Sequence, residues 1–526
     1  MGIYLNPGNE NFKEILRADI YVDKTMMISV TNKFIDKGNK FICISRPRRF
    51  GKTIASEMLS AYYSKGCDSK EYFDDLKIAA HSEYKDKLNK YNVIKLDLNS
   101  EYQNIEDTSD LIKIMSEKIK KEMRKEFPEV EMEDNKSLAE CILDVYSVTG
   151  QTFIIIIDEY DVLVREQADE KLFASYLSFL NGLFKSATLR PAISLAYLTG
   201  ILPVVRDKVQ SKLNNFREYT ILDAMELAEF IGFTDEEVRD LCAEYDVDYE
   251  ECKSWYDGYT QNGYEIYNPE SVVMSMLHRK YGSYWGKTST YEAIAERIRM
   301  NFAGTKDAVI KMLAGEEVDI NITRYMNTMS DFTSRNDVFA YLMYIGYLAY
   351  NEEEGTCRIP NREVRQEWFN AIEAESEYEI TNKIIESSKQ LLKDTIKGDA
   401  QAVAASLDES HIHVSANRSY NNEDVLQSAI YLSFIYALND YTCVREMTAG
   451  KGFSDVTYIP IHPSKERPAM IIELKKNSSA DSAIDQIREK KYFDSLSHYQ
   501  GNLLFVGINY DEKEKTHSCT IERFEK

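Results

Sequence analysis

The sequence predicts an α/β protein that begins with a parallel sheet, continues through a mostly helical middle and ends in a second α/β domain. Short apolar runs of strand length alternate with amphipathic runs in the N-terminal part, as in a parallel sheet covered by helices on both faces. One run, 41–45, leads directly into a Gly-Lys-Thr loop, and another, 153–157, ends in two acidic residues. A chain of 526 residues is too long to fold around one ordinary hydrophobic core, so several domains are expected.

Composition narrows the class of protein. A hydrophobic content of 44% and a charged content of 29% are typical of soluble globular proteins. No apolar run approaches the ~20 residues of a membrane span. The N-terminus lacks a basic region followed by an apolar core, so we expect no secretory signal, no membrane partner and a cytoplasmic location. The eight cysteines form no C-x-x-C pair, which implies neither zinc nor disulfides.

The net charge of −23 argues against a general nucleic-acid binder. This charge is uneven along the chain. Residues 417–526 contain 14 Lys and Arg against 16 Asp and Glu, a net of −2, so the remaining −21 lies upstream. The C-terminal part is therefore the least repulsive to a polyanion, although it is not basic.

The loop after the strand at 41–45 has the residues of a phosphate-binding loop. Backbone N–H groups of such a loop and the positive end of the helix dipole hold phosphate oxygens. Lys52 would add a charge at the β- and γ-phosphates, and the Thr53 hydroxyl would ligate Mg²⁺. Arg46 stands where the general pattern has glycine, and the triplet alone is equally compatible with a basic turn before an ordinary helix. The predicted nucleotide-binding residues of the loop are Arg49, Phe50, Gly51, Lys52 and Thr53.

A second motif, TFIIIIDEYD at 152–161, strengthens this interpretation. Its apolar run predicts a central strand buried on both faces, whose carboxyl end lies beside the phosphate loop. There Asp158 would hold Mg²⁺ through water and Glu159 would polarise the attacking water. Thr199 ends a strand predicted at 192–198 and is a candidate sensor of the γ-phosphate, although a simple strand-terminating turn explains it equally well. ATP and Mg²⁺ are the predicted cofactors.

Further elements follow in order. A parallel strand is predicted at 92–98, and helices are predicted at 54–64, 110–124, 137–147 and 171–183. After residue 220 the pattern becomes helical, and Thr234 and Glu237 have the spacing of a capping box. The aromatic-rich segment 255–272 is interpreted as packing for a small subdomain rather than as a surface for bases.

The region from residue 291 to 409 is mostly helical. Within it, a helix at 336–349 runs into a strand, a tight turn at 352–355 and another strand, an order that resembles a winged-helix module. The acidic surroundings favour a packing role without nucleic-acid contact.

The last hundred residues carry a second candidate site. Glu473 and Lys475 alternate on a predicted strand and therefore point to one face. If this strand forms a hairpin with the preceding one, Asp455 approaches Glu473. Two carboxylates and a lysine can bind Mg²⁺ and activate water beside a phosphodiester. The strands predicted in this region are 443–447, 455–463, 469–476 and, as the last of the chain, 502–508.

A glutamate and a lysine alternating on a strand usually mark a solvated face, so the pattern gains weight from its neighbours. Asp455 follows a glycine turn 18 residues before Glu473. Glu423 begins the apolar helix that precedes the strands, and Gln486 and Tyr492 lie in the helix that follows them. Together these features favour a functional site.

Short sequence motifs are distributed along nearly the whole chain. In the N-terminal part they are YVDKT, SRPRRFGKT, IDEYD, TGILPVVRDKV, LNNF and WYDGY with YNP, and in the C-terminal part REMTAGKGFSDVTYIP, IIELK and QIREKKY. With them the chain resembles the bacterial family that joins an AAA-ATPase-like domain to a C-terminal PD-(D/E)XK nuclease-superfamily domain. The phosphate loop of that family resembles RPRRFGK[ST], so Arg46 fits the family pattern.

The resemblance implies a role for most candidate residues. It makes Lys52, Thr53, Asp158 and Glu159 nucleotide and Mg²⁺ residues. It makes Asp455, Glu473 and Lys475 a nuclease triad, with Asp455 and Glu473 as metal ligands and with Glu423 and Gln486 as supporting catalytic positions. Arg206 and Asn214 fall in family motifs to which we assign no role. The superfamily contains inactive members, so an intact triad supports activity without establishing it.

We therefore expect the chain to form four domains. They are a P-loop AAA-ATPase-like core at 1–220, a helical lid at 221–290, a helical, winged-helix-like middle at 291–415 and a restriction-endonuclease-like α/β domain at 416–526. ATP binding or hydrolysis would gate a Mg²⁺-dependent cut in DNA, the candidate nucleic-acid partner. Two alternatives remain open, a nucleotide-dependent switch whose nuclease-like domain is silent and a plain ATPase whose C-terminal domain docks a partner. Homo-oligomer formation is also open.

Overall fold

The computed structural model describes residues 2–524 apart from 106, 167, 204–214, 288–290, 323–331, 376–377, 415–429, 432, 450–451, 462–466, 493–495, 497–498 and 500. The chain divides into two compact units, Met1–Ser289 with Asp319–Glu363 and Thr290–Val318 with Val364–Lys526. Among the helices that the structure describes, none combines the length and the apolar character needed to cross a bilayer.

The first unit contains a five-stranded parallel sheet in the order β2-β3-β4-β1-β5. Every residue of the first, third and fourth strands is buried, as expected for a parallel sheet with both faces covered. The strands predicted from the apolar runs at 41–45, 92–98, 153–157 and 192–198 are confirmed, and a fifth strand at 217–219 was not predicted. The bounds are β1 (Phe41–Ser45), β2 (Asn92–Asp97), β3 (Phe153–Asp158), β4 (Ile193–Gly200) and β5 (Arg217–Tyr219).

Helices pack on this sheet. They are α1 (Glu10–Ile15), α2 (Met27–Phe34), α3 (Lys52–Tyr63), α4 (Lys70–Phe73), α5 (Tyr84–Lys87), α6 (Leu98–Gln103), α7 (Leu111–Glu126), α8 (Leu138–Thr149), α9 (Val162–Arg165) and α10 (Glu170–Phe184). Apolar residues of α7, α8 and α10, such as Ile119, Ile142 and Leu180, share one core with Ile155 of β3. Because Ile154 and Ile156 point to the opposite face, β3 reads as an uninterrupted apolar run.

A subdomain follows the parallel sheet in the region predicted as a helical lid, and it is called the lid below. Besides helices it contains a three-stranded antiparallel sheet, which was not predicted. It consists of β6 (Phe233–Thr234), β7 (Tyr259–Gln261), β8 (Tyr264–Tyr267), α11 (Asp235–Tyr245), α12 (Tyr249–Tyr256) and α13 (Pro269–His278). The predicted capping box is present, since Thr234 Oγ1 accepts from Glu237 N at 3.4 Å and Glu237 Oε2 accepts from Thr234 N at 2.8 Å. Tyr256 and Tyr267 are buried in the lid core, in agreement with the packing interpretation of the aromatic segment.

The predicted order of helix, strand, turn and strand is also present in the first unit, as α16 (Arg335–Tyr344), β10 (Ala349–Asn351) and β11 (Thr356–Arg358). The helix ends at Tyr344 rather than at residue 349. Gly346, with φ +91°, lies in the left-handed region and turns the chain before β10 begins.

The WYDGY motif fastens the lid to the segment that follows β11. Asn361 Nδ2 donates to the carbonyl oxygen of Asp257 at 2.7 Å. Gly258 has φ +121°, and a Cβ at this position would lie 2.3 Å from the carbonyl oxygen of Pro360. Only glycine combines this backbone conformation with so close an approach.

We expect Gly258→Ala to lower the free energy of unfolding by about 1–3 kcal/mol from backbone strain alone, with a further loss from the overlap at Pro360. Urea unfolding measures the change. Gly282→Ala is the control, because no atom lies within 4 Å of its added Cβ and its φ is not in the left-handed region. Equal stability of the Gly258 and Gly282 variants would contradict the expectation.

The second unit contains a mixed sheet in the order β12-β13-β14-β15-β16. Neighbouring strands are antiparallel except for β14 and β15, which are parallel. The bounds are β12 (Tyr441–Ala449), β13 (Gly452–Pro460), β14 (Ala469–Lys476), β15 (Leu503–Asp511) and β16 (Thr516–Phe524). The remaining named elements are β9 (Val318–Asp319), α14 (Glu292–Ile298), α15 (Thr305–Leu313), α17 (Arg362–Glu373), α18 (Glu379–Lys397), α19 (Ala400–Val414) and α20 (Ala480–Lys490).

The prediction that 502–508 is the last strand of the chain is wrong. β16 pairs with β15 along its whole length, from Phe524 opposite Leu503 to Thr516 opposite Asp511. It is an edge strand whose residues are mostly half-exposed, so its sequence, THSCTIERF, lacks the apolar alternation that marks a half-buried strand.

Candidate functional sites

The first site lies where β1 runs into α3. Ser45 ends the strand, and α3 begins at Lys52 after Gly51, whose φ of +89° is left-handed. The first N–H groups of a helix have no partners within it, so together with the helix dipole they form an anion-binding end. The loop is one wall of a cavity of about 690 Å³, a volume typical of small-molecule sites.

The predicted nucleotide residues differ in their placement around this cavity. Asp158 is buried, with 2% of its surface exposed, and does not form part of the wall. Thr199 is fully buried inside β4 opposite Ile44 of β1, also outside the wall. The residues of the prediction that line the cavity are Arg49, Phe50, Gly51, Lys52, Thr53 and Glu159.

Lys52 is a buried cation at the start of α3. Its Nζ donates to the carbonyl oxygen of Pro47 at 2.9 Å. Burial lowers the pKa of Lys52, an effect opposed by the negative charges of Glu159, Asp161 and Asp158. Among the described residues the amine therefore has one carbonyl partner in an acidic surrounding, and a phosphate oxygen would make a stronger, charge-assisted hydrogen bond.

The contacts of Arg46 explain why an arginine stands where the general loop pattern has glycine. Its side chain is fully buried, and Nη1 donates to the carbonyl oxygens of Ser45 at 2.8 Å and Tyr219 at 2.9 Å. Burial lowers the pKa of Arg46 to about 9. Arg46 thus ties β1 to β5 at the start of the loop and does not line the cavity.

The carboxyl end of β3 supplies the acidic side of the site. Burial raises the pKa of Asp158 to about 6, although a hydrogen bond from Thr53 opposes the rise. Ser56 Oγ also donates to Asp158 Oδ2, at 3.3 Å. The next residue, Glu159, has a left-handed φ of +55° and pairs with Arg165. The sequence interpretation did not identify Arg165, for which the only signal was a cation six residues after the motif glutamate.

One part of the cavity wall, called the apolar end below, is apolar and was not predicted. It is built by a stretch near the N-terminus and by the lid, which are far apart in sequence. The YVDKT motif was the available signal for this end. The apolar and aromatic residues that line it include Ile20, Tyr21, Val22, Phe230, Phe233 and Val273.

The rest of YVDKT holds this stretch in place. Asp23 Oδ2 accepts from Lys77 N at 2.6 Å. Lys24 Nζ donates to the carbonyl oxygen of Glu229 at 2.6 Å and to Glu237 Oε2 at 2.5 Å. The two charged residues therefore fix the wall of the cavity to the core on one side and to the lid on the other.

The second site lies on β13 and β14 of the other unit. Val456 pairs with Ile472, so Asp455 and Glu473 are the next residues along the two antiparallel strands. Asp455 Oδ2 accepts from the backbone N–H of Leu474 at 2.7 Å. The hairpin thus brings the two predicted carboxylates together.

Lys475 and Gln486 complete this cluster. Lys475 Nζ donates to Glu473 Oε1 at 3.2 Å and to Gln486 Oε1 at 2.7 Å. Gln486 Nε2 donates to the same Glu473 oxygen and to the Tyr492 hydroxyl at 3.0 Å. The amide of Gln486, held by Tyr492, orients both charged side chains. Glu423, the remaining predicted residue, lies outside the described residues, as do Arg206 and Asn214.

The electrostatics fit a divalent cation. Glu473 is 2% exposed, and burial, with the negative charge of Asp455 as the second cause, raises the pKa of Glu473 to about 7. Its Oε2 is buried with no hydrogen-bond partner among the described residues. A hard cation bound by Glu473 Oε2 and Asp455 would satisfy this oxygen and remove the repulsion. No group of three or more candidate ligands occurs in the part of the chain that the structure describes.

Two family models match the parts of the chain in which these two sites lie. Residues 7–210 match the family model of a predicted AAA-ATPase, AAA-ATPase-like, and residues 421–519 match that of the PD-(D/E)XK nuclease superfamily. An uncharacterized protein in the vnfD 5′ region of Azotobacter chroococcum mcd 1 is 24% identical over 290 residues, which are 54% of each chain. This chain thus spans about half the length of that relative.

The solved structure of C. elegans PCH-2 is 13% identical in sequence to this chain. The match covers 64% of this chain and 72% of the PCH-2 chain, with a TM-score of 0.22. The domain assignments rest on the two family models instead. The resemblance noted in the sequence is confirmed, and the chain joins an AAA-ATPase-like domain to a C-terminal domain of the PD-(D/E)XK nuclease superfamily.

Proposed function

We propose that this protein binds and hydrolyses ATP in the cytoplasm and that its nucleotide state controls Mg²⁺-dependent cleavage of DNA by the C-terminal domain. The observation that carries the proposal is that each unit holds a buried carboxylate with a raised pKa beside a lysine. These pairs are Asp158 with Lys52 and Glu473 with Lys475. We propose domain bounds of 1–220, 221–290, 291–415 and 416–526.

In the first site, the N–H groups of the loop and Lys52 would bind the triphosphate of ATP. The apolar end of the cavity would bind the adenine base. Hydrolysis joins a water oxygen to the γ-phosphorus and breaks its bond to the bridging oxygen, which leaves with the electron pair on ADP. Glu159 would accept a proton of that water. Thr53 and Asp158 would hold Mg²⁺, and in both sites Mg²⁺, when bound, supplies a charge that binds phosphate oxygens and acidifies water.

In the second site, Asp455 and Glu473 would hold the metal ion. Cleavage joins a water oxygen to the phosphorus of a phosphodiester and breaks one of its two ester bonds, and the released sugar oxygen takes up a proton. Lys475, held by Gln486, would orient the water and stabilise the negative charge that develops on the phosphoryl oxygens.

The test is cleavage of plasmid and linear DNA by the purified protein, with Mg²⁺, Mn²⁺ or a chelator, and with ATP, ADP or no nucleotide. We expect cleavage that needs the metal ion and changes with the nucleotide. Metal-dependent cleavage with the same rate in all three nucleotide conditions would refute the gating. Absence of cleavage in every condition, with ATP still hydrolysed, would refute the nuclease assignment.

A second candidate is a nucleotide-dependent switch whose nuclease-like domain does not cut. The net charge of −23 favours it, because a polyanionic substrate is repelled over most of the chain. Deleting the residues after Asn417 separates this candidate from a plain ATPase with a docking domain. A plain ATPase would show turnover unchanged by the deletion.

Metal binding at the second site is expected to strengthen as pH rises. Since the pKa of Glu473 is about 7 and a divalent ion needs the ionised carboxylate, affinity should fall by up to roughly tenfold per pH unit below that value and level off above it. Calorimetric titration with Mn²⁺ at a series of pH values measures the slope. Glu473→Gln should remove the pH dependence, and a flat profile in the wild type would contradict the expectation.

A further inference from the structure

A second cation faces the nucleotide cavity from its acidic side. Arg165 is the last residue of α9 and lines the cavity together with Lys52, Thr53 and Glu159. Its Nη2 donates to Glu159 Oε2, and its Nε lies 3.4 Å from Asp161 Oδ2. The guanidinium is therefore shared between the carboxylate proposed to activate water and a second, neighbouring carboxylate.

The two carboxylates hold Arg165 differently. Asp161 is fully buried, and its Oδ2 accepts from the backbone N–H groups of Ile201 at 3.0 Å and Leu202 at 2.8 Å, which fixes it to the end of β4. Glu159 is half-buried at 22% side-chain exposure. Among the described residues, Arg165 donates a hydrogen bond to its carboxylate. One end of the guanidinium thus has a fixed anchor, and the other has a partner that can be exchanged.

Arg165 has the geometry to bind an oxyanion from the cavity. Its side chain is 12% exposed. Its Nε faces Asp161, so the Nη2 that donates to Glu159 is the donor that a ligand would take over. Phosphate oxygens match the planar fork of a guanidinium.

The charges at this side of the cavity also favour such a contact. Two cations, Lys52 and Arg165, face three carboxylates, those of Asp158, Glu159 and Asp161. A terminal phosphate that entered this side with Arg165 still bound to Glu159 would meet mainly negative charge. An exchange of Glu159 for the phosphate as the partner of Arg165 keeps the guanidinium neutralised throughout.

Arg49, an arginine of the loop, forms an ion pair with a different carboxylate. Its Nη1 lies 2.9 Å from Glu270 Oε1 of the lid. It is therefore paired with the lid. Arg165 is the cavity-lining arginine that contacts Glu159.

We propose that Arg165 contacts the terminal phosphate of bound ATP from within the same chain and thereby releases Glu159 for the attacking water. The inference rests on the proposed ATPase function. As the structure places them, Arg165 neutralises Glu159. With ATP bound, Arg165 stabilises the negative charge on the γ-phosphoryl oxygens while the bond between the γ-phosphorus and the bridging oxygen breaks. With ADP, which lacks that phosphate, Arg165 stays with Glu159.

The test compares ATP with ADP. Arg165→Ala should weaken ATP binding by about tenfold or more, as expected for a lost charge-assisted hydrogen bond, while ADP binding stays within a factor of about two. The kcat for ATP hydrolysis should fall by roughly 10³, the effect of removing an arginine at a transferring phosphate. Arg165→Lys, which keeps the charge but not the fork, should recover ATP affinity more than kcat.

Arg239→Ala is the matched control. Arg239 makes the same i,i+4 ion pair, with Asp235 at 2.7 Å, but lies outside the cavity, so both affinities and kcat should be unchanged. If Arg165→Ala does not fold, Arg165→Gln, which loses the charge and keeps a polar side chain, is judged by the same criteria.

The inference is overturned if the Arg165 variant loses ATP and ADP affinity equally, which would indicate a merely structural role, or if its kcat equals that of the wild type. Wild-type protein that binds neither nucleotide would instead refute the proposed function itself. The two failures are therefore distinguishable in one set of titrations.

Discussion

Replacing Lys475 with alanine is expected to lower the rate of metal-dependent DNA cleavage by at least roughly 100-fold, the usual contribution of a group that orients water or stabilises developing charge. The amine donates to both Glu473 and Gln486, so its removal leaves the water site without its cation. Single-turnover cleavage of a labelled duplex measures the rate.

Lys476→Ala is the matched control for this prediction. It removes the next lysine of the same strand, which points to the other face and pairs with Glu512 at 3.2 Å. The control should cleave like the wild type, and Asp455→Asn should be as inactive as Lys475→Ala. Wild-type cleavage by the Lys475 variant would show that the active site has been misassigned.

Replacing Lys52 with alanine is expected to weaken ATP binding by roughly 100-fold, since about 2–3 kcal/mol is the value of a charged hydrogen bond in a buried site. Lys52 is only 5% exposed, and its charge is desolvated before any ligand arrives. The variant should therefore fold at least as stably as the wild type, because the buried charge is gone. Titration with a fluorescent ATP analogue and thermal unfolding measure the two effects.

Lys65→Ala serves as the control, since Lys65 is a half-buried lysine outside the cavity that donates to Gln151 at 2.9 Å. Its affinity for ATP should match that of the wild type. Unchanged ATP binding by Lys52→Ala would rule out the loop as the phosphate site. In the same variant, DNA cleavage that no longer responds to ATP would connect the two sites.

The first site was predictable where chemistry and local structure coincide. The Gly-Lys-Thr loop and the Asp-Glu pair each follow an apolar strand, and the order of a parallel sheet places the ends of β1 and β3 at one edge. What the sequence did not reveal is the pairing of Glu159 with Arg165. A cation six residues away on a short helix has no periodic signal, and its direction depends on how Asp161 is held.

The second site shows the same division. The alternation of Glu473 and Lys475 predicted a shared face, and the hairpin pairing brings Asp455 beside them. The buried state of Glu473 was not predictable, because alternating charges on a strand usually point to solvent. Here α20 covers the strand and supplies Gln486, so the carboxylate is desolvated and its pKa rises.

The sequence by itself determined four of the five strands of the parallel sheet, the Gly-Lys-Thr loop and the Asp-Glu pair that follow two of them, and the family to which each end of the chain is similar. These are local patterns, in which periodicity and residue type report how each element is buried. Only the tertiary structure decided the apolar end of the cavity, which Ile20, Phe233 and Val273 reach from distant segments, and the edge strand β16. Such neighbours depend on the path of the whole chain, and no short segment encodes that path.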